Sequence, residues 1–121
     1  AITCNIGGTG YVTSGGLISI GNWYHFAVTR NGANLRMFIN GTQVGTTSTT
    51  LGANSIDNAT APYYFGRTTD DTANYTGYLS GTRVVVGTAL YTSNFAPPTT
   101  PLRPNGNTTA RIAPQRVPPS A

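Results

Sequence analysis

The chain has 121 residues, enough for one hydrophobic core and too few for two. Only 8% of its residues are charged, against roughly 25% in an ordinary soluble domain; every basic residue is Arg and every acidic one is Asp, so the good surface helix formers Lys and Glu are missing. The net charge of +4 does not form a nucleic-acid footprint, because Arg103, Arg111 and Arg116 sit in an acid-free tail and Arg30, Arg36, Arg67 and Arg83 are scattered singly.

In chain order, the first strong strand signal runs from Trp23 to Arg30. Side chains alternate along a strand, so Tyr24, Phe26 and Val28 share one face, read as core, and Trp23, His25, Ala27 and Thr29 the other. Asn31–Gly32 offers a turn into a second alternating strand carrying Leu35, Met37 and Ile39. Asn40–Gly41 is the strongest hairpin signal in the chain, with a return strand through Val44. A polar stretch follows from Thr46 to Thr60, then a short aromatic strand at Tyr63–Phe65 and a loop from Thr68 to Asn74. Two further strands are predicted at Tyr75–Leu79 and Thr82–Val86 before Pro97 and Pro98 end regular pairing. Helical periodicity is absent throughout. No apolar run exceeds three residues, as at Val84–Val86, so no membrane insertion is expected. Ala1 is not preceded by a Met or a leader, which reads as a processed chain or a piece of a longer one.

The segment from Asn22 to Gly32, Asn-Trp-Tyr-His-Phe-Ala-Val-Thr-Arg-Asn-Gly, followed by Leu35-Arg36-Met37-Phe38-Ile39-Asn40-Gly41, resembles the central hairpin of laminin-G-like, concanavalin A-like jelly rolls. Tyr64-Phe65-Gly66-Arg67 and Tyr78-Leu79-Ser80-Gly81-Thr82-Arg83-Val84-Val85 are similar to later strands of that family. The stretch from Gly87 to Thr99, with Pro101-Leu102, resembles the ending of the version found in bacteriophage virion proteins. Spanning roughly Gly15 to Leu102, the resemblance implies an all-β antiparallel β-sandwich without its opening strands. Such a sandwich is incomplete alone, because its exposed sheet edges call for a partner, a neighbouring copy or more of the same polypeptide. The expected organisation is a sandwich over residues 1–97 and an extended Pro- and Arg-containing arm over residues 98–121.

Chemistry is sparse. A glycosidase needs two facing carboxylates, and the only acids are Asp57, Asp70 and Asp71. His25, the sole histidine, has no nucleophile and acid in sequence context to make a triad, and reads as a half-buried strand residue; Trp23 reads as a packing anchor. The lone Cys4 forms neither an internal disulfide nor a thiolate metal site. The chain is therefore expected not to be an enzyme and to carry no cofactor, with calcium at Asp70 and Asp71 as the one metal alternative, since many laminin-G-like modules bind it at a loop rim. Four Asn-x-Thr sequons, at Asn40, Asn58, Asn74 and Asn107, are expected by chance in so Asn- and Thr-rich a chain. Tyr63, Tyr64, Arg67, Asn74, Tyr75 and Tyr78 have the residue types of a glycan site, aromatic faces flanked by amides and donors, or of tyrosines lining a sheet edge. Along the arm, Leu102, Ile112 and Val117 are spaced as isolated apolar anchors, and Arg103, Arg111 and Arg116 as polar grips.

Two functions follow as expectations. One is a structural module of a bacteriophage virion, a capsid decoration or fibre component, assembling with other virion proteins or copies of itself. The other is a glycan- or receptor-binding module of a tail fibre or other extracellular protein, with a host-surface glycan as partner. Both place it in a virion or outside the cell, without nucleic acid.

Overall fold

The computed structural model describes residues 1–6, 9–56, 62–67 and 71–103. Among these the regular elements are all strands: β1 (Thr3–Ile6), β2 (Thr9–Thr13), β3 (Phe26–Asn31), β4 (Asn34–Ile39) and β5 (Thr42–Ser48). An antiparallel β1–β2 hairpin forms one sheet, with a bulge between Cys4 and Asn5, and an antiparallel β3–β4–β5 meander forms the other. The chain is thus all-β, two antiparallel sheets packed as a β-sandwich, as the alternation of apolar residues predicts.

Local chemistry explains the meander. Asn40 and Gly41 both take positive φ, 49° and 79°, the backbone of a two-residue turn whose twist matches the flanking strands. Asn tolerates this conformation and Gly has no Cβ to oppose it. At the other end Gly32 takes φ 59°, and the turn falls between Asn31 and Asn34. β4 sits in the middle of the meander and is its most buried strand: Leu35, Met37 and Phe38 are essentially inaccessible.

β2 packs on β4 and β5. Val12 meets Leu35, Met37, Ile39 and Val44 there, with Ile2, Cys4, Ile6, Ile18, Tyr24 and Val28 half-buried around them. Ser14, a buried polar residue, is satisfied locally: its hydroxyl accepts from the Ile2 N–H at 2.8 Å and its own N–H donates to the Ile2 carbonyl at 2.8 Å. Each fully buried aliphatic of this cluster contributes about 1.5–3 kcal/mol relative to exposure.

Three expectations need correction. The chain does have strands ahead of Gly15, since β1 and β2 supply the second sheet. Tyr63–Phe65, Tyr75–Leu79 and Thr82–Val86 are not strands: outside the named strands, the described residues form a single isolated bridge, Arg67 to Asn74. Gly66, Gly77, Gly81 and Gly87 carry positive φ and turn the chain between these short apolar runs, which find no neighbouring strand with which to build a ladder. Finally, β3 begins at Phe26 rather than Trp23, and Phe26 is 40% exposed. It lies at the start of β3 opposite Ile39 and is not among the residues packed against the core cluster.

Candidate functional site

The face of the meander turned away from β1 and β2 is not left to water. Phe38 projects there between its core-facing neighbours Met37 and Ile39, and a strap formed by residues 91–97 lies across it. Tyr91 and Phe95 stack with ring centroids 3.5 Å apart and planes within 6°, and both meet Phe38 edge-on. His25 stands perpendicular to both strap rings. Polar contacts fix the strap: the Thr29 hydroxyl donates to the Tyr91 carbonyl at 2.6 Å, the Gln43 N–H to Asn94 Oδ1 at 2.9 Å, and the Phe95 N–H to the Gly41 carbonyl at 2.9 Å. Gly41 has a second reason to be glycine, because a Cβ there would run into the Phe95 carbonyl and the Pro97 ring. Burial, and then the positive charge of Arg83, push the His25 imidazole below the ordinary histidine range, and its Nδ1 is buried without a hydrogen-bond partner. His25 packs on this face against Tyr91 and Phe95.

The predicted glycan residues gather on a separate rim. The Tyr75 N–H donates to the Gly66 carbonyl at 2.6 Å, which brings residues 62–67 beside residues 71–79. The Arg67 guanidinium lies 4.8 Å above the Tyr64 ring and 3.9 Å from the Asp71 carboxylate. Asn74 donates to the Asp71 carbonyl at 3.4 Å, and the Tyr75 hydroxyl reaches the Tyr78 carbonyl at 3.5 Å. Tyr63, Tyr64, Tyr75 and Tyr78 are all exposed, Tyr78 by 82%. The structure therefore brings Tyr64, Arg67, Asn74 and Tyr75 together; Tyr78 stays attached only through its carbonyl.

Asp71 is committed to this cluster, its carboxylate to Arg67 and its carbonyl to Asn74. Calcium takes six to eight oxygens, and among the described residues Asp71 faces the Arg67 guanidinium. Asp70 lies outside the described residues. Of the arm residues, Leu102 packs beside Gly81 and the Arg103 carbonyl accepts from Arg83 at 2.9 Å; Arg111, Ile112, Arg116 and Val117 lie outside the described residues. Cys4 is half-buried in the core, and burial pushes its thiol above the usual range.

The outer edge of β3 and the segments 1–6, 18–24, 62–67, 72–91 and 98–102 border one broad, open concavity, wider than a small-molecule pocket. Ile20, Trp23, Phe26, Tyr78, Val84 and Val86 border it and are exposed, Ile20 completely, alongside the polar rim residues Arg67 and Asn74. Sequence reasoning found the individual tyrosines and missed this surface, and it missed the strap; a large aromatic at Phe38 on the non-core face of β4 was the signal for the latter.

The architecture, two antiparallel sheets around one core with aromatic-rich connections on the rim, is that of a jelly-roll lectin-like sandwich. The family described as the concanavalin A-like lectin/glucanases superfamily, of laminin-G type, matches residues 1–90. The chain belongs to this family. The match begins at residue 1, taking in β1 and β2, and ends just before the strap. No curated protein and no solved structure matches the chain.

Proposed function

We propose that the protein is a non-catalytic structural module of a bacteriophage virion, a capsid decoration or fibre component, that works by protein–protein assembly. The carrying observation is the number of large apolar side chains left exposed around the concavity, Ile20, Trp23, Tyr78, Val84 and Val86 among them; large exposed apolar areas mark contacts with other macromolecules. Its size suits a polypeptide rather than a metabolite. The resemblance of Gly87–Thr99 to virion proteins supports the virion setting, and the scarcity of acids in the sequence, three Asp and no Glu, supports the absence of catalysis. The arm from residue 98 onward serves the same purpose in this reading, with the Arg83–Arg103 contact near its start.

The rim of Tyr64, Arg67, Asn74 and Tyr75 favours one second reading, a glycan- or receptor-binding module of a tail fibre or other extracellular protein. Electron microscopy of native particles, with an antibody fragment against the exposed 71–79 loop, separates the two. The assembly reading expects the label at fixed, repeated positions in a multi-subunit particle. Label found on no particle, together with glycan binding that Tyr75→Ala and Arg67→Ala both abolish, would overturn it in favour of the lectin.

A further inference from the structure

β3 is an edge strand. In a two-residue hairpin the residues flanking the turn exchange hydrogen bonds, and such pairs then alternate, so Asn31–Asn34, Thr29–Arg36 and Ala27–Phe38 bind β3 to β4. The Asn40 N–H donating to the His25 carbonyl at 2.8 Å continues the same phase. The backbone groups of Phe26, Val28 and Arg30 consequently face away from β4, along the concavity. Natural edge strands are blunted by proline, bulges or inward charges; β3 has no proline, its pairing with β4 runs without a register shift, and its one charged residue, Arg30, turns its guanidinium to the Gly32 and Gly52 carbonyls.

On the same concavity lies a segment of strand composition with no strand partner. Val84, Val85 and Val86 form no hydrogen bond among the described residues, and all three are exposed. Val84, Val85 and Val86 are exposed by 56%, 37% and 88%, so none of the three side chains is buried. β-Branched residues with both sides apolar are the composition of a strand buried inside a sandwich.

We propose that the concavity is filled by a second copy of this chain, with Thr82–Val86 of each copy adding as a strand to the β3 edge of the other. This rests on the assembly reading and names its partner. Edge and strand occur on one surface of one chain, so the contact is self-complementary and closes as a two-fold dimer. The area is sufficient. Trp23 and Tyr78 bring on the order of 150–250 Å² each when buried, and with Ile20, Val84 and Val86 counted on both copies the total reaches the order of 1,200 Å² that a specific interface needs.

Trans-specific cross-linking tests it on the full chain. In a Cys4→Ser background, Ala27→Cys is prepared alone, and Val84→Cys, Val85→Cys and Val86→Cys are prepared separately; the Ala27 variant is mixed with each and oxidised, while sedimentation velocity gives the mass of the parent protein. The expected result is a mass twice that of one chain and a disulfide-linked heterodimer for at least one of the three mixtures. A monomer at all concentrations, a dimer that cross-links in none of them, or an internal disulfide formed at high dilution when both cysteines are placed in one chain would each overturn the exchange. Labelled native particles bear on assembly itself whatever these mixtures give, so the two failures are distinguishable.

Discussion

Two phenylalanines with opposite settings decide where stability resides. Phe38 is fully buried under Tyr91 and Phe95, whereas Phe26 is 40% exposed at the sheet end. Phe38→Ala is expected to cost about 3–5 kcal/mol through lost transfer energy and the cavity left behind, and Phe26→Ala about 1–2 kcal/mol, because much of its ring is already in water. Chemical denaturation of the two variants checks the order. Asp71→Ala should change stability by no more than about 0.5 kcal/mol, since its 3.9 Å pairing with Arg67 is exposed. His25 supplies a pH dependence. Its folded-state pKa lies below the unfolded value of 6.5, so the unfolded chain binds the proton first on acidification. Stability is full above about pH 6.5 and is lost as pH falls through the folded-state pKa. His25 is the only histidine and free aspartates titrate near 3.9, so the slope between about pH 6.5 and 5 belongs to it, and His25→Gln should flatten denaturation midpoints across that window. An unchanged slope would remove His25 from the packing of the strap.

At the scale of elements, the strap is held by one glycine as much as by its own rings. Gly41 turns the β4–β5 hairpin with φ 79° and gives passage to the Phe95 carbonyl and Pro97. Gly41→Ala therefore combines a strained backbone with a steric collision and should cost at least about 2 kcal/mol. Faster hydrogen exchange at the Phe95 N–H is the local signature, since that group donates to the Gly41 carbonyl; Gly32→Ala, at a turn with open space around it, should leave that exchange rate alone. The hairpin was legible in the sequence because Asn-Gly chemistry is local. Its role as the seat of the strap was not, for the contact joins residues 41 and 95 and no local signal records which distant segment lies over a turn.

For the whole molecule, the end of the described chain is tied to the body of the domain. Leu102 and Arg103 lie against Gly81 and Arg83, so a chain ending after Arg103 should keep its melting transition, and the proposed role of the arm predicts that it loses assembly. Retention of every higher assembly on truncation would limit the arm to a bystander. Catalysis offers a separate check. Incubation with β-glucans should release no reducing ends, and release that disappears on Asp57→Asn, Asp70→Asn or Asp71→Asn would show that the non-catalytic reading is wrong.

The sequence by itself determined the all-β class, the β3–β4–β5 meander with its turns, and the core stripe of Leu35, Met37 and Ile39, because alternation and Asn-Gly turns act over a few residues. Only the tertiary structure decided that residues 1–14 form the opposing sheet, that Phe38 is covered by Tyr91 and Phe95, that Phe26 is left partly exposed, and that Thr82–Val86 lies without a ladder. An apolar run shows that burial is favourable, but strand formation and burial also require a neighbour with matching hydrogen bonds and an uncovered face, and that neighbour is set by how distant parts of the chain pack.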